Sequence, residues 1–400
     1  MLYIVEVLSF IYLAFNIAYL LFFALLGCLY QETIFKDIEI KIENRFVVLV
    51  PAFKHDAVIL QTIEQNLKQD YPKDKHNFIV IADSLLPATI GELIKKNIKV
   101  IEVQFDESNK AKSINFALNL LSEKDYDYCL LLDIDNIMEP AFISKMNARL
   151  QNQEIAIQGH RTAKNLNSSF AILDAVSEEI NNHIFRKGHA VSGLSAALIG
   201  SGQVMAFKTY KQLMLSITSA VEDKELEFAL TKLYYRVLYE NNALVYDEKV
   251  QNAGVFINQR KRWIASQFFD IKLVIYQGLV GFLKKGDFNF LDRVFQRLLL
   301  PRILLLGISF FSAFIVFVPF FHFGTYYLYL FFACCFGFLI SMPAALYNSK
   351  TLLAALRLPE VFILMVLATI RSKGASKKFI HTIHQLGSND FGAKHPLKKK

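Results

Sequence analysis

The sequence has few charged residues, few cysteines and a single tryptophan. Charged residues occupy 20% of its 400 positions and apolar residues 54%, which excludes a disordered or collagen-like chain. The cysteines lack the spacing of a zinc site and lie in apolar segments, so we expect buried thiols at Cys28, Cys129, Cys334 and Cys335. The sequence contains no Gly-x-Gly-x-x-Gly motif and no Walker loop, which argues against dinucleotide binding and phosphoryl transfer.

Long apolar segments are concentrated at the two ends of the chain. Residues 7–30 carry no charge and can cross a hydrocarbon core about 30 Å thick, so residues 1–30 are predicted to form a retained anchor. Residues 303–347 contain no Asp, Glu, Lys or Arg, and their length predicts a transmembrane hairpin. Residues 264–302 and 348–371 mix apolar and charged positions, which predicts helices lying in the interface. For 348–371, a fourth span is the alternative.

The distribution of charge predicts a topology. The net charge is +8, and much of the excess lies beside the apolar segments and in a basic tail at 372–400. Such a tail is more typical of a surface facing anionic lipids than of a nucleic-acid-binding arm. Residues 1–10 contain no Lys or Arg, whereas Lys36, Lys41 and Arg45 follow the first apolar segment. The positive-inside rule therefore predicts a multi-pass protein of the inner (cytoplasmic) membrane, with its middle domain and tail in the cytosol.

Residues 31–263 alternate between strand and helix patterns. Apolar, β-branched runs begin near residues 46, 78, 98 and 128, with helical patterns between them, which predicts an α/β domain built of parallel βαβ units. Ligands of such sheets bind beyond the carboxyl ends of the strands. The candidate site residues that follow the strands are Pro51, Ala52, Asp83, Asp133 and Asp135.

Asp133 and Asp135 are two carboxylates separated by one residue, directly after a predicted buried strand. Without a partner they would repel each other. A divalent cation shared with a substrate diphosphate would relieve the repulsion, because Mg²⁺ is usually bound by one or two carboxylates together with phosphate oxygens. The alternative is a helix cap or a loop salt bridge.

Three further elements follow later in the chain. Gln259, Arg262 and Trp263 belong to a basic segment at the predicted membrane junction; they could contact a sugar and a diphosphate, or anchor the chain at the interface. Glu222 and Asp223 precede a predicted helix, where carboxylates also favour a helix N-terminus. Gly200-Ser201-Gly202 allows a close backbone approach, or is an ordinary turn.

Taken in this order, these residues resemble the family 2 inverting glycosyltransferases, which have a GT-A (Rossmann-like) α/β fold. Cellulose, hyaluronan, chitin and poly-N-acetylglucosamine synthases belong to this family. The resemblance covers residues 44–265, and the flanking membrane segments are also as expected. Two departures occur: Lys54-His55 stands where the family has Asn-Glu, and Leu85-Leu86 stands where it has acidic residues.

The resemblance implies a role for each matching residue. It implies Mg²⁺ or Mn²⁺ on Asp135 with Asp133, and Asp223 as the general base. Nucleotide-sugar contacts are implied at Pro51, Ala52, Asp83, Lys110, Asn115 and Asp133. Contacts with the acceptor or the diphosphate are implied at Gly202, Glu222, Gln259, Arg262 and Trp263.

The expected function is inverting transfer of a sugar from a nucleotide-sugar, with UDP-sugar as the expected donor, in surface polysaccharide or glycolipid synthesis. The acceptor is lipid-linked or a saccharide, at the cytosolic membrane face. Membrane lipids are expected partners and nucleic acid is not. The small number of predicted spans favours the addition of one or a few sugars, or assembly with synthase or export partners.

Two other function classes compete with this one. The first is a non-catalytic subunit that senses nucleotide-sugars or assembles a polysaccharide synthase; the intact acidic residues argue against it. The second is a transporter, against which the long contiguous polar domain argues.

Overall fold

The computed structural model describes residues 2–219, 221–267 and 271–371. The predicted basic tail at 372–400 lies outside these ranges. The strands are β1 (Phe46–Phe53), β2 (His76–Asp83), β3 (Lys99–Val103), β4 (Tyr128–Leu131), β5 (Ile137–Met138), β6 (Ala156–Ala163), β7 (Gln203–Ala206) and β8 (Val237–Asp247).

The α-helices fall into two groups. Those of the middle domain are α2 (Asp56–Asn66), α3 (Pro87–Lys95), α4 (Lys110–Leu120), α5 (Phe142–Arg149), α6 (Ser169–Asn182), α7 (His189–Val191), α8 (Phe207–Met214) and α9 (Glu222–Lys232). Before and after them lie α1 (Leu2–Gly27), α10 (Ala253–Gln267), α11 (Ile271–Lys285), α12 (Phe288–Leu298), α13 (Arg302–Ala313), α14 (Gly324–Ile340), α15 (Ser349–Ala355) and α16 (Leu358–Ile370).

The strands form one mixed sheet in the order β3-β2-β1-β4-β7-β6-β8-β5. The first four are parallel to one another, as predicted. The sequence-based prediction covered only these four strands; in the other half of the sheet, β7 runs antiparallel to both β4 and β6. Since β6 and β8 are parallel to each other, β8 runs in the same direction as β4. The carboxyl ends of β1, β2, β4, β6 and β8 therefore lie at one edge.

The alternation of side chains along β1 explains why both faces of the sheet are covered. Phe46, Val48 and Val50 pack into the core on one side, together with residues of α2 and α5. Val47 and Leu49 pack into the core on the other side, against α4 and α8. All five side chains are fully buried, as expected for a strand that reads as a continuous apolar run.

The helices outside the domain carry the predicted membrane segments. In the described part of the chain, α1 is long and apolar enough to cross a membrane. Two helix pairs would bring the number of spans to as many as three: α12 with residues 302–317, bent by 63°, and α15 with α16, bent by 50°. The apolar helix α14 is shorter. The predicted hairpin at 303–347 comprises α13 and α14, which pack against each other.

Helix α1, the predicted anchor, packs directly on the domain. Leu13, Ile17 and Phe23 share a core with Ile180 and Ile184, which lie on α6 and on the π-helical turn that follows it (residues 183–188). Gly188 is the point of closest approach. A Cβ atom added there would lie 2.2 Å from the carbonyl oxygen of Phe23. The two backbones can be this close only because Gly188 has no side chain.

We expect Gly188→Ala to destabilise the protein by about 1–3 kcal/mol, because a methyl group cannot fit without moving a helix backbone. Unfolding in one detergent, followed by circular dichroism, measures the change. Gly91→Ala is the matched control: it lies in α3, and a Cβ atom there meets nothing within 4 Å. This control should raise stability by about 0.5–1 kcal/mol. Equal stability of Gly188→Ala and the parent would contradict the packing argument.

Candidate active site

A cavity of about 580 Å³ opens at the edge where the carboxyl ends of the parallel strands meet. Pro51 and Ala52 reach it from β1, and Asp83 from the last position of β2. Asp133 and Asp135 reach it from the loop that follows β4. The structure thus brings together the residues that were predicted to form the site because they follow the carboxyl ends of parallel strands.

The later sequence elements line the same cavity. Lys110 comes from the start of α4, and Glu222 with Asp223 from the first turn of α9. Helix α10 contributes Gln259, Arg262 and Trp263. The predicted helix is confirmed, and it begins at Glu222 itself, so that Glu222 and Asp223 lie in its first turn. Residues separated by up to about two hundred positions therefore share one cavity.

The structure does not place Asn115 or Gly202 on the cavity wall. The Asn115 amide donates to the carbonyl of Ile217 at 2.7 Å, which ties α4 to the segment before α9. Gly202 has a φ of +63°, and a Cβ atom there would lie 2.9 Å from Val245. Its backbone N–H donates to Leu131 at 2.8 Å. Both residues shape the elements behind the site, and Gly202 allows the close backbone approach expected of it.

Lys110 joins the acidic groups of the site. Its Nζ donates to Asp133 Oδ1 at 2.6 Å and to the carbonyl of Gly200 at 2.6 Å, and it lies 3.4 Å from Glu222 Oε1. Burial lowers the pKa of Lys110, but Asp133 and Glu222 outweigh this effect and raise it above its ordinary value. Lys110 therefore stays charged and holds Glu222, at the start of α9, close to Asp133, which follows β4.

Glu222 is buried, and burial raises its pKa to about 7. The charge of Lys110 lowers the pKa of Glu222, and Asp223 raises it further. At neutral pH this carboxyl therefore titrates within the site, whereas an ordinary glutamate is fully ionised.

Glu222→Gln should change how stability depends on pH. Because the pKa of Glu222 in the folded protein, about 7, exceeds the ordinary 4.5, the stability that this group contributes is fully present below pH 4.5. It is lost as the pH rises through 7. The variant should therefore gain stability relative to the parent between pH 5 and pH 8, by at most about 3 kcal/mol.

Unfolding of both proteins at the two pH values, with a chelator present, tests this. Glu225→Gln is the control, because Glu225 lies in the same first turn of α9 but not on the cavity wall. A parent and a Glu222→Gln variant with the same pH dependence would contradict the assignment.

Asp135 is held at the end of β4 by its neighbours. It is 3% exposed, and its carboxylate accepts from Asn136 Nδ2 at 3.2 Å and from the backbone N–H of Glu248 at 3.4 Å. Asn136 Nδ2 also donates to Asp247 Oδ1 at 2.9 Å. This amide therefore places Asp247, the last residue of β8, beside the Asp133–Asp135 pair.

Asp133 and Asp135 suit a divalent cation only if a substrate completes the coordination. Among the described residues, no group of three or more His, Cys, Asp or Glu side chains is arranged to hold a metal. Two carboxylates on a cavity wall match the oxygen ligands that Mg²⁺ and Mn²⁺ take together with phosphate oxygens. The residues present fit a cation that binds with a diphosphate.

A largely buried ionic network, with Arg161, Glu178 and Asp247 on the cavity wall, was not predicted from the sequence. Glu178 accepts from Arg161 Nε at 3.0 Å and from Lys249 Nζ, and Lys249 also donates to Asp247 at 2.7 Å. Burial raises the pKa of Glu178, but Arg161 and Lys249 lower it well below its ordinary range. Asp247 is the last residue of β8, so it would have been predicted as a site residue if β8 had been recognised in the sequence.

Trp263 lies on the cavity wall and is 38% exposed. The guanidinium of Arg260 lies 4.0 Å from the centre of its ring, in cation–π contact. Arg260, which was not predicted from the sequence, thus holds the indole ring of Trp263 beside α10.

Comparisons with known proteins agree with the resemblance found in the sequence. A family model described as "Glycosyltransferase like family 2" matches residues 44–266, more than half of the chain. The probable glycosyltransferase YdaM of Bacillus subtilis (strain 168) is 24% identical over 246 residues, which are 56% of this chain. The match spans 58% of the length of that relative.

Among solved structures, the mannosyltransferase PcManGT from Pyrobaculum calidifontis, in complex with GDP-Man and Mn²⁺, has a similar fold. The TM-score is 0.55 at 14% identity, and the match covers 93% of this chain and 99% of that one. The similarity extends beyond the sheet to the helices that flank the domain.

Proposed function

The chain belongs to glycosyltransferase family 2, and from this premise we propose that it transfers a sugar with inversion from a UDP-sugar to a lipid-linked or saccharide acceptor. We place this reaction at the cytosolic face of the membrane, where α1 would hold the domain. The observation that carries the proposal is that one cavity contains the strand-end carboxylates, the α9 acids and the α10 residues.

One carboxylate oxygen of Asp83 has no hydrogen-bond partner among the described residues, which supports a role in binding the nucleobase. Asp83 is 2% exposed, and its Oδ1 accepts from Ser84 Oγ at 3.1 Å. Its Oδ2 is buried without a hydrogen-bond partner among the described residues. A buried unpaired acceptor is costly, and the single N–H on the edge of uracil would satisfy it. This match is the reason to propose a uridine nucleotide.

Asp133 and Asp135 would hold Mg²⁺ or Mn²⁺ together with the donor diphosphate. The cation would offset the negative charge that develops on the departing nucleoside diphosphate. PcManGT was solved with both GDP-Man and Mn²⁺, which is consistent with a cation in this role.

Arg262, on the same cavity wall, would support the leaving group. Burial lowers the pKa of its guanidinium, whereas Asp133 and Glu222 raise it. The charge of Arg262 therefore interacts with the carboxylates of both Asp133 and Glu222. A guanidinium can bind phosphate oxygens in a bidentate manner, so Arg262 would stabilise the diphosphate as it leaves.

Asp223 would take the proton in the transfer step. The acceptor hydroxyl gives its proton to the Asp223 carboxylate while its oxygen bonds to the anomeric carbon. The bond from that carbon to the diphosphate oxygen breaks on the opposite face, which inverts the configuration. Lys110 and Glu222 position the Asp223 turn against Asp133, and Trp263 offers an aromatic wall for a sugar ring.

A donor screen tests the proposed function. Membranes from cells that express the chain are incubated with a panel of radiolabelled nucleotide-sugars and Mg²⁺ or Mn²⁺. A UDP-sugar should label a lipid-soluble or polymeric product, and membranes without the chain should give none. Binding of nucleotide-sugars without transfer of any label would instead support a non-catalytic sensing or assembly subunit.

A further inference from the structure

The cavity extends beyond the matched domain, to helices predicted to lie in or on the membrane. Its wall includes Leu20 from α1, Val274 from α11, Leu299 before α13, and Met365 from α16. All four lie outside residues 44–266, which the family model covers. The wall therefore joins the strand-end carboxylates to apolar side chains of the membrane-proximal helices.

Three arginines, Arg186, Arg260 and Arg302, line this cavity, and the charges of Arg186 and Arg260 act on Arg302. Arg186 is 2% exposed and donates to the carbonyl of Ala197 at 3.1 Å and to Asn182 Oδ1 at 2.6 Å. Arg302, the first residue of α13, donates to the carbonyl of Ser177 at 3.0 Å and also to Asn181. These acceptors are all uncharged.

The third arginine, Arg260, is paired with Asp174. The nearby carboxylate Glu178 is already shared by Arg161 and Lys249. We call the guanidinium groups of Arg186, Arg260 and Arg302 the arginine cluster. Asp174 is the one carboxylate that forms an ion pair with this cluster among the described residues.

The charge of the arginine cluster is incompletely balanced. Arg260 and Arg186 both repel the positive charge of Arg302, and its own hydrogen bonds go to the uncharged Asn181 and Ser177. A buried cation that lacks an ionic partner is unfavourable, and an anion that enters beside it relieves the cost. Because guanidinium groups bind phosphate through paired hydrogen bonds, phosphate is the anion that this cluster suits best.

We propose, on the basis of the glycosyl transfer proposed above, that the acceptor is a lipid carrying a phosphate or diphosphate group. Its hydrocarbon part would lie along Leu20, Leu299 and Met365, and its phosphate oxygens would accept from Arg302 and Arg186. The sugar attached to that phosphate would present its hydroxyl to Asp223. The proton passes to Asp223, the new bond forms to the anomeric carbon, and nucleoside diphosphate leaves.

Binding of a minimal lipid phosphate tests this proposal. The full chain is placed in phosphatidylcholine nanodiscs, and its affinities for radiolabelled hexadecyl phosphate and for hexadecanol are compared. The phosphate should bind better by about tenfold or more, since hydrogen bonds to a charged group are at stake. Arg302→Gln should remove most of this preference, and Arg302→Lys should keep part of it.

Two controls separate binding from folding and from bulk charge. Arg371→Gln removes one positive charge from an exposed site at the end of α16 and should leave the preference unchanged. Affinity for UDP should be the same in all variants, which shows that Arg302→Gln leaves the nucleotide side of the fold intact. If Arg302→Gln binds both hexadecyl phosphate and UDP more weakly, the variant is misfolded, and Arg302→Lys is used as the test. If Arg302→Lys binds UDP normally but shows no preference for hexadecyl phosphate over hexadecanol, the proposal is overturned.

Other outcomes would also overturn it. Equal binding of hexadecyl phosphate and hexadecanol by the parent would exclude a phosphate site. Inorganic phosphate that competes as strongly as hexadecyl phosphate would indicate a site for a free anion, and displacement by phosphatidylglycerol would indicate a site for bulk lipid. If the preference depends on Arg302 but no UDP-sugar is transferred, the lipid site stands and the proposed function fails.

Discussion

Asp223→Asn is expected to lower the transfer rate by about 10²–10⁴-fold, the usual effect of losing a general base, while affinity for nucleoside diphosphate stays near that of the parent. Asp223 lies on the cavity wall in the first turn of α9. Its Oδ1 accepts from the backbone N–H of Lys224 at 2.9 Å, a bond that Asn can also accept. The substitution thus keeps the shape and removes only the group that takes the proton.

Donor affinity should survive because the proposed nucleotide and metal contacts come from other elements. Asp83 belongs to β2, and Asp133 and Asp135 follow β4. If Asp223 merely favoured the helix start, the change would alter stability by about 1 kcal/mol or less and turnover would barely move. Measuring donor affinity and transfer rate on the same purified variant separates the two roles.

Glu225→Gln is the matched control for this prediction. It removes a carboxylate from the same helical turn, but Glu225 does not line the cavity, so transfer should remain close to the parent rate. Near-normal turnover in Asp223→Asn, or an equal loss in Glu225→Gln, would end the assignment of Asp223 as the base.

Asp135→Ala is expected to abolish metal-dependent transfer, with a loss of at least about 10³-fold, because charge stabilisation by a catalytic cation contributes several kcal/mol. Mn²⁺ binding in the presence of UDP, followed by electron paramagnetic resonance, should be lost together with activity. The parent should become inactive in excess chelator and recover when Mg²⁺ or Mn²⁺ is added.

Asp106→Asn is the control for this second prediction. Asp106 also follows a strand of the parallel half of the sheet, but it is exposed and lies outside the cavity wall, so neither metal binding nor transfer should change. A circular dichroism spectrum of Asp135→Ala like that of the parent would show that the fold is intact. Full activity of the parent in excess chelator would contradict the role given to Asp133 and Asp135.

The sequence predicted the parallel half of the fold because β1, β2 and β4 each contain a continuous apolar run. β1, β2 and β4 are buried on both faces, so their composition reveals them and their ends reveal Asp83, Asp133 and Asp135. In contrast, β6 contains His160 and Arg161, and β8 contains charged and amide residues. Such strands do not look buried until their partners are known.

The ionic network was missed for the same reason. The Arg161 side chain on β6 can lie mostly inside the domain because Glu178, on α6, supplies its counter-charge. Taken alone, each residue would be predicted to lie on the surface. Motif order likewise could not show which way a side chain points. Asn115 and Gly202 occur at the expected places in the sequence, but their contacts are with Ile217 and Leu131.

Because α1 packs against the domain, the domain cannot be separated from α1, and the sequence of α1 cannot be changed freely. Because Leu20 forms part of the cavity wall and Phe23 is in contact range of Gly188, helix α1 is part of the interior of the protein. Deleting it to obtain a soluble catalytic fragment would open the cavity and expose the core around Ile180 and Ile184. Replacing it with another apolar helix of equal length would keep the hydropathy but lose the fit. The anchor and the domain therefore have to change together when the sequence varies.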